Sequence, residues 1–118
     1  MRINRSSLAP LAIALAASLA GCGQREQQAA SLQQAQTALA AKQYQSAGIA
    51  LKSYLQTKPD DAEARFLLGQ TLLAASDPVS AEKQLHKALE LGYPRERLEP
   101  LLAQALIGKM MEQRAGKI

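Results

Sequence analysis

The sequence predicts an all-α fold of stacked helix pairs, about two and a half repeats long, and three observations carry that prediction. Strand-favouring residues are scarce: aromatics make up 3% of the 118 residues, while Ala and Leu supply much of the 47% that is hydrophobic. The chain resembles itself when shifted by 34 residues, a period of helical solenoids. Turn and cap signals fall between the apolar runs rather than inside them.

Residues 1–21 read as a targeting segment and stand outside the fold. Arg2 and Arg5 give a basic start, and Leu8 to Ala20 is apolar apart from Ser18 and Pro10. That run has the length of a signal-peptide core and is too short for a comfortable membrane span. Leu19-Ala20-Gly21-Cys22 follows, and Cys22 is the one cysteine of the chain. The four residues resemble the lipobox of bacterial lipoproteins. The resemblance implies cleavage before Cys22 and acylation of its thiol and amine. One acyl chain holds a protein only marginally, so several together make the anchor. Gly23, where Asp would retain a lipoprotein at the inner membrane, resembles outer-membrane sorting and implies a periplasmic, lipid-anchored location. Residues 22–28 are a short polar linker. At up to about 3.5 Å per residue it keeps the domain within roughly 20 Å of the bilayer.

Residues 28–118 form the repeat domain, with copies at 28–61 and 62–95 and a partial copy at 96–118. The first helix spans 28–41 and turns at Lys42-Gln43. The second runs from about Tyr44 to Thr57, where Lys58-Pro59 ends it. Asp60 caps the third, with Glu63 completing a capping-box pattern. That helix reaches about Ala75. Asp77 caps the fourth, and Pro78 occupies its first position, where a missing N–H costs nothing. Gly92 suits a left-handed terminator. After the Tyr93-Pro94 loop, Pro100 starts or kinks a last helix from Leu101 to about Met111.

The copies align through Ala30/Ala64, Gln36/Gln70, Thr37/Thr71, Leu39/Leu73, Ala40/Ala74, Ala41/Ala75, Ser46/Ser80, Ala47/Ala81, Leu51/Leu85 and Leu55/Leu89. Leu32/Phe66, Ala35/Gly69 and Ala38/Leu72 are conservative pairs. Leu102, Ala103, Gln104, Leu106 and Ile107 continue the phase. This pattern resembles the tetratricopeptide repeat (TPR), an α-α superhelix. The small residue where two helices cross matches Ala35, Gly69 and Ala103. The small residue early in the second helix matches Ala47 and Ala81, and bulky residues follow at Leu51 and Leu85. Pro59 matches the closing proline, whereas Tyr93 takes that slot in the second copy. Ser31 and Gln34 depart from the larger apolar residues of the family, as in a capping repeat. Either Leu101–Gln113 caps the array, or Met110-Met111 is an edge where a further repeat docks.

Longer stretches look more specific. They are Lys58 to Gly69, Asp77 to Glu82, Lys87 to Pro94 and Pro100 to Leu106. With the lipobox they resemble the start of TPR lipoproteins of the PEP-CTERM/exosortase system, whose members carry more repeats. That resemblance implies a scaffold for protein–protein interactions in exopolysaccharide production and PEP-CTERM protein sorting. The alternative is a lipoprotein of pilus or secretin assembly, which pairs a lipobox with the same repeats.

First helices line the concave face in this family. By phase the groove positions are Leu32, Gln36, Leu39, Phe66, Gln70, Leu73, Gln104 and Ile107. Gln36, Gln70 and Gln104 recur at the repeat interval, so a polar ladder flanked by apolar rungs is expected. Its amides suit the backbone of a bound peptide or helix. Other classes find little support. The formal charge of +4 falls by two when Arg2 and Arg5 are removed. The remaining Lys and Arg are scattered among acids, so nucleic acid is not an expected partner. His86, the one histidine, faces outward by phase, and nothing beside it forms a catalytic or metal-binding set. The expectation is a non-enzyme without cofactors, whose partners are a protein and the membrane.

Overall fold

In the computed structural model, residues 32–116 are described, and every element among them is an α-helix. The targeting segment, Cys22, the linker and the first residues of the predicted 28–41 helix lie outside that span. Helix α1 covers residues 32–40. It is followed by α2 (Tyr44–Thr57), α3 (Ala62–Ala74), α4 (Pro78–Glu90) and α5 (Arg95–Arg114). From α2 onward successive helices pack on one another, and α5 also touches α3.

The turns explain where the helices stop. Lys42 has φ +59°. Its N–H donates to the Leu39 carbonyl at 3.0 Å, and the Gln43 N–H donates to the Ala38 carbonyl at 2.8 Å. This is a Schellman terminator, in which a left-handed residue folds two N–H groups back onto orphan carbonyls. One repeat later Ser76, at φ +63°, repeats it with bonds to Leu73 at 3.0 Å and from Asp77 to Leu72 at 2.8 Å. Gly92, at φ +93°, ends α4 the same way. Lys42 and Ser76 carry a steric strain in that conformation that glycine avoids. Ser76→Gly is therefore expected to raise stability by about 0.5–1 kcal/mol. A higher urea midpoint at unchanged slope would show it, and a lower one would contradict the strain.

Helix starts follow side-chain caps. The α4 cap is Asp77, whose carboxylate accepts the Ser80 N–H at 3.1 Å, with Pro78 beside it. For α3 the cap is Asp61 rather than Asp60. Asp61 Oδ1 accepts the Ala64 N–H at 3.1 Å, while Asp60 sits exposed in the preceding turn. The acid immediately before the first helical residue is the one that reaches the third N–H. Arg65 ties that turn to α4: Nε and Nη2 donate to the Pro59 carbonyl, and Nη1 to Gln84 Oε1 at 2.9 Å.

Helix α5 differs most from expectation. It begins at Arg95, not Leu101, and carries Pro100 inside it. Burial decides this. Leu98 is fully buried and joins the core against α4, which holds the first turn helical. Pro100 forfeits the bond its N–H would have made to the Glu96 carbonyl and crowds that carbonyl, a cost the burial of Leu98 offsets. The helix also runs past the position where the other copies turn. Met110 stands 34 residues after Ser76, yet α5 continues to Arg114 and ends at Gly116, φ +73°.

The core forms two clusters. Ala35, Leu51, Tyr54, Leu55, Ala64 and Leu68 make one. Phe66, Leu85, Ala88 and Leu98 make the other, and Leu67 packs against both. Small residues let the helices approach. Ala47 and Ala81 are fully buried, and a Cβ at Gly69 would lie 2.6 Å from Leu85 Cδ2. Ala35 is buried at the equivalent crossing, whereas Ala103 is exposed. Among the described residues no helix packs over Ala103.

Candidate functional site

A cleft of about 680 Å³ opens where α3 and α5 lie side by side. Gln70 and Leu73 contribute from α3. Leu101, Gln104, Met111 and Glu112 contribute from α5. Pro78 closes one end, and Gly108 comes close to it: a Cβ there would stand 2.8 Å from the proline Cβ. The α5 contribution is one stripe, with residues three or four apart that share a helix face. The wall is thus mostly apolar, with two amides that both donate and accept. Glu112 is the charged residue at its edge. That pattern suits a polypeptide segment better than a small polar molecule.

The predicted groove residues divide into four groups. Gln70, Leu73 and Gln104 line this cleft together. Ile107 does not. It borders a separate hollow of about 190 Å³ with Met110, Met111 and Arg114. Leu32 packs on the first core cluster, Gln36 is exposed and Leu39 half-buried. None of these three lines the cleft, so two rungs of the expected glutamine ladder meet there and Gln36 is not among them.

Phe66 departs from its expected place for a clear reason. It lies one turn before Gln70 and shares its face by phase. Its ring, however, is covered by Tyr93, with centroids 4.3 Å apart and planes 13° apart. The Arg97 guanidinium lies 5.7 Å from the Phe66 centroid and 5.6 Å from that of Tyr93. Stacking and cation–π attraction make this corner part of the core. The loop that supplies Tyr93 is distant in sequence, so helical phase alone misses it. The repeat phase also misses Leu101, Met111 and Glu112. The 3–4 spacing of 101, 104, 108, 111 and 115 is the signal that reveals this stripe, once α5 extends to Arg114.

Chemistry elsewhere is sparse. His86 is exposed, with Nε2 3.8 Å from Glu82 Oε1, and Glu82 bonds Lys109 through its other oxygen. Among the described residues no cluster of His, Cys, Asp and Glu could hold a metal. No helix among them is long and apolar enough to cross a membrane.

A TPR family model matches residues 38–105, more than half of the chain. The chain belongs to the tetratricopeptide repeat family. Its members are typically non-catalytic scaffolds that bind other proteins. No curated protein and no solved structure matches the chain.

Proposed function

We propose that this chain is a periplasmic TPR scaffold, lipid-anchored through Cys22, that holds a protein partner in the cleft between α3 and α5. The partner, in this reading, belongs to exopolysaccharide production and PEP-CTERM protein sorting. The observation that carries the binding role is the cleft itself: an apolar wall of Leu73, Leu101 and Met111 with Gln70 and Gln104 beside it. Apolar contacts supply affinity for a side-chain face, and amides supply register along a backbone. The Leu19-Ala20-Gly21-Cys22 pattern supports the anchor, and Gly23 supports an outer-membrane destination.

The test compares lipidated wild type with Gln70→Ala/Gln104→Ala in pull-downs from the native envelope. Capture of the main partner should fall about tenfold, as for two mid-strength interface contacts. Far-UV helicity should not change, because Gln104 is exposed and Gln70 only half-buried. Equal capture by both proteins would exclude the cleft as the contact surface. Cys22→Ser should shift the chain from the membrane to the soluble periplasmic fraction, and retention on the membrane would rule out the lipid anchor. A partner from pilus or secretin assembly would assign the scaffold to that process instead.

A further inference from the structure

We propose that α5 is also a self-association surface, on which a second copy of this chain lays its own α5 antiparallel. The observation is a face that none of the described residues covers. Leu106, Ile107, Met110 and Met111 are 49–68% exposed. They are four of the five large hydrophobic side chains exposed among the described residues. On a helix of 3.6 residues per turn, Glu99, Ala103, Leu106, Ile107, Met110 and Arg114 form one stripe. Leu98 and Ala105, both fully buried, mark the opposite side, which packs on the core.

The order of residues along the stripe selects the occupant. It reads acid, small, apolar, apolar, large, base. Turned end for end against itself, the stripe complements itself around a point between Leu106 and Ile107. Leu106 then meets Ile107 of the second copy. Ala103 meets Met110, so the long thioether enters the space a methyl group leaves. Glu99 meets Arg114, twice per dimer by symmetry. A parallel pair would put Glu99 on Glu99 and Arg114 on Arg114, which like charges oppose. Both charged residues are exposed, and no salt bridge within the described residues engages either.

The stripe is short. Glu99 to Arg114 rises about 22 Å at 1.5 Å per residue. One helix pair of that length buries less than the roughly 800 Å² per partner of a standard interface. An interface that small belongs with weak, transient associations. The surface is separate from the cleft except at Met111, so association and partner capture can be scored independently.

Sedimentation equilibrium of the full chain between about 1 and 100 μM tests it, a range suited to a weak, transient interface. The expected result is a reversible equilibrium between the 12.6 kDa monomer and its dimer. Leu106→Glu should abolish dimerisation with helicity intact, since this side chain faces solvent. Glu99→Arg and Arg114→Glu should each weaken it about tenfold, and the double exchange should restore it. In a Cys22→Ser background, a mixture of Leu106→Cys and Ile107→Cys chains should form a disulfide between copies and Glu99→Cys should not. A wild-type chain that stays monomeric throughout overturns the proposal. So does a Leu106→Glu chain that still dimerises, a double exchange as weak as the singles, or cross-linking through position 99. Capture of a different protein on this stripe by a monomeric chain overturns it as well.

Discussion

Leu85→Ala is expected to remove about 3 kcal/mol of stability, the largest loss predicted for any single substitution in this chain. Leu85 is fully buried and stands where α3, α4 and α5 meet, in the cluster with Phe66, Ala88 and Leu98. Truncation forfeits its transfer energy and leaves a cavity that the surrounding helices fill only in part. Small domains have about 5–15 kcal/mol in total, so the loss is a large share. Gly69 makes the prediction sharper. A methyl group there would meet Leu85 Cδ2 at 2.6 Å and Cγ at 2.7 Å. In the wild type Gly69→Ala should therefore destabilise by about 1 kcal/mol. Its helix-propensity gain of about 1 kcal/mol is outweighed by overpacking of about 1–3 kcal/mol. In the Leu85→Ala background the obstacle is gone, and the same substitution should stabilise. Urea unfolding of the four-member cycle followed by circular dichroism checks both statements. Simple additivity would mean that the two residues do not press on each other.

Asp61→Ala ranks second, at about 2–3 kcal/mol. The carboxylate does two things at once. Oδ1 caps α3 through the Ala64 N–H, and Oδ2 accepts the Tyr54 hydroxyl at 2.6 Å. Removing it costs a cap, about 1 kcal/mol, and leaves the Tyr54 hydroxyl without its acceptor at a part-buried site, which costs about 1–2 kcal/mol. Asp60→Ala should change stability by no more than about 0.5 kcal/mol, as for an ordinary surface site. Equal losses at the two positions would refute the assignment of the cap. The pair also sets a pH dependence. Burial foremost, then the hydrogen bond to Asp61 and the charges of Asp61 and Glu63, push the Tyr54 phenol from 10.0 up to about 12. The unfolded chain loses this proton first. The contribution is therefore complete below pH 10 and declines as the pH rises through 12. Tyr54→Phe should flatten that alkaline decline, and an unchanged slope would assign it to other groups.

Local chemistry makes much of the fold legible in the sequence. Helix α2 has the predicted ends, and Lys58-Pro59 closes it because a residue before proline is steered away from helical backbone. Asp77-Pro78 and Gly92 mark α4 equally well. Two departures share a cause: a distant contact overrides a local signal. Pro100 reads as a start, but burial of Leu98 draws the helix back to Arg95. Phe66 has the phase of a groove residue, but Tyr93 lies over it. The turns at Lys42 and Ser76 are visible only as gaps in periodicity, since neither residue is one that a left-handed position prefers. The cleft is half legible. Gln70, Leu73 and Gln104 follow from the repeat, whereas Met111 and Glu112 depend on α5 running on where the repeat predicts a turn.

Leu67 has a consequence for how the array comes apart. Helical repeats melt as a row of coupled neighbours, and the coupling decides whether they melt together or in sequence. Here the two clusters have separate buried members, and Leu67 is the side chain packed against both. Cooperativity between the two halves of the domain therefore passes largely through α3, with this leucine at the joint. The α1–α2 pair is positioned to open and reclose while α4 and α5 stay closed. Amide protons of the first pair should then exchange through smaller openings than those of α4, so that one short domain shows two tiers of protection.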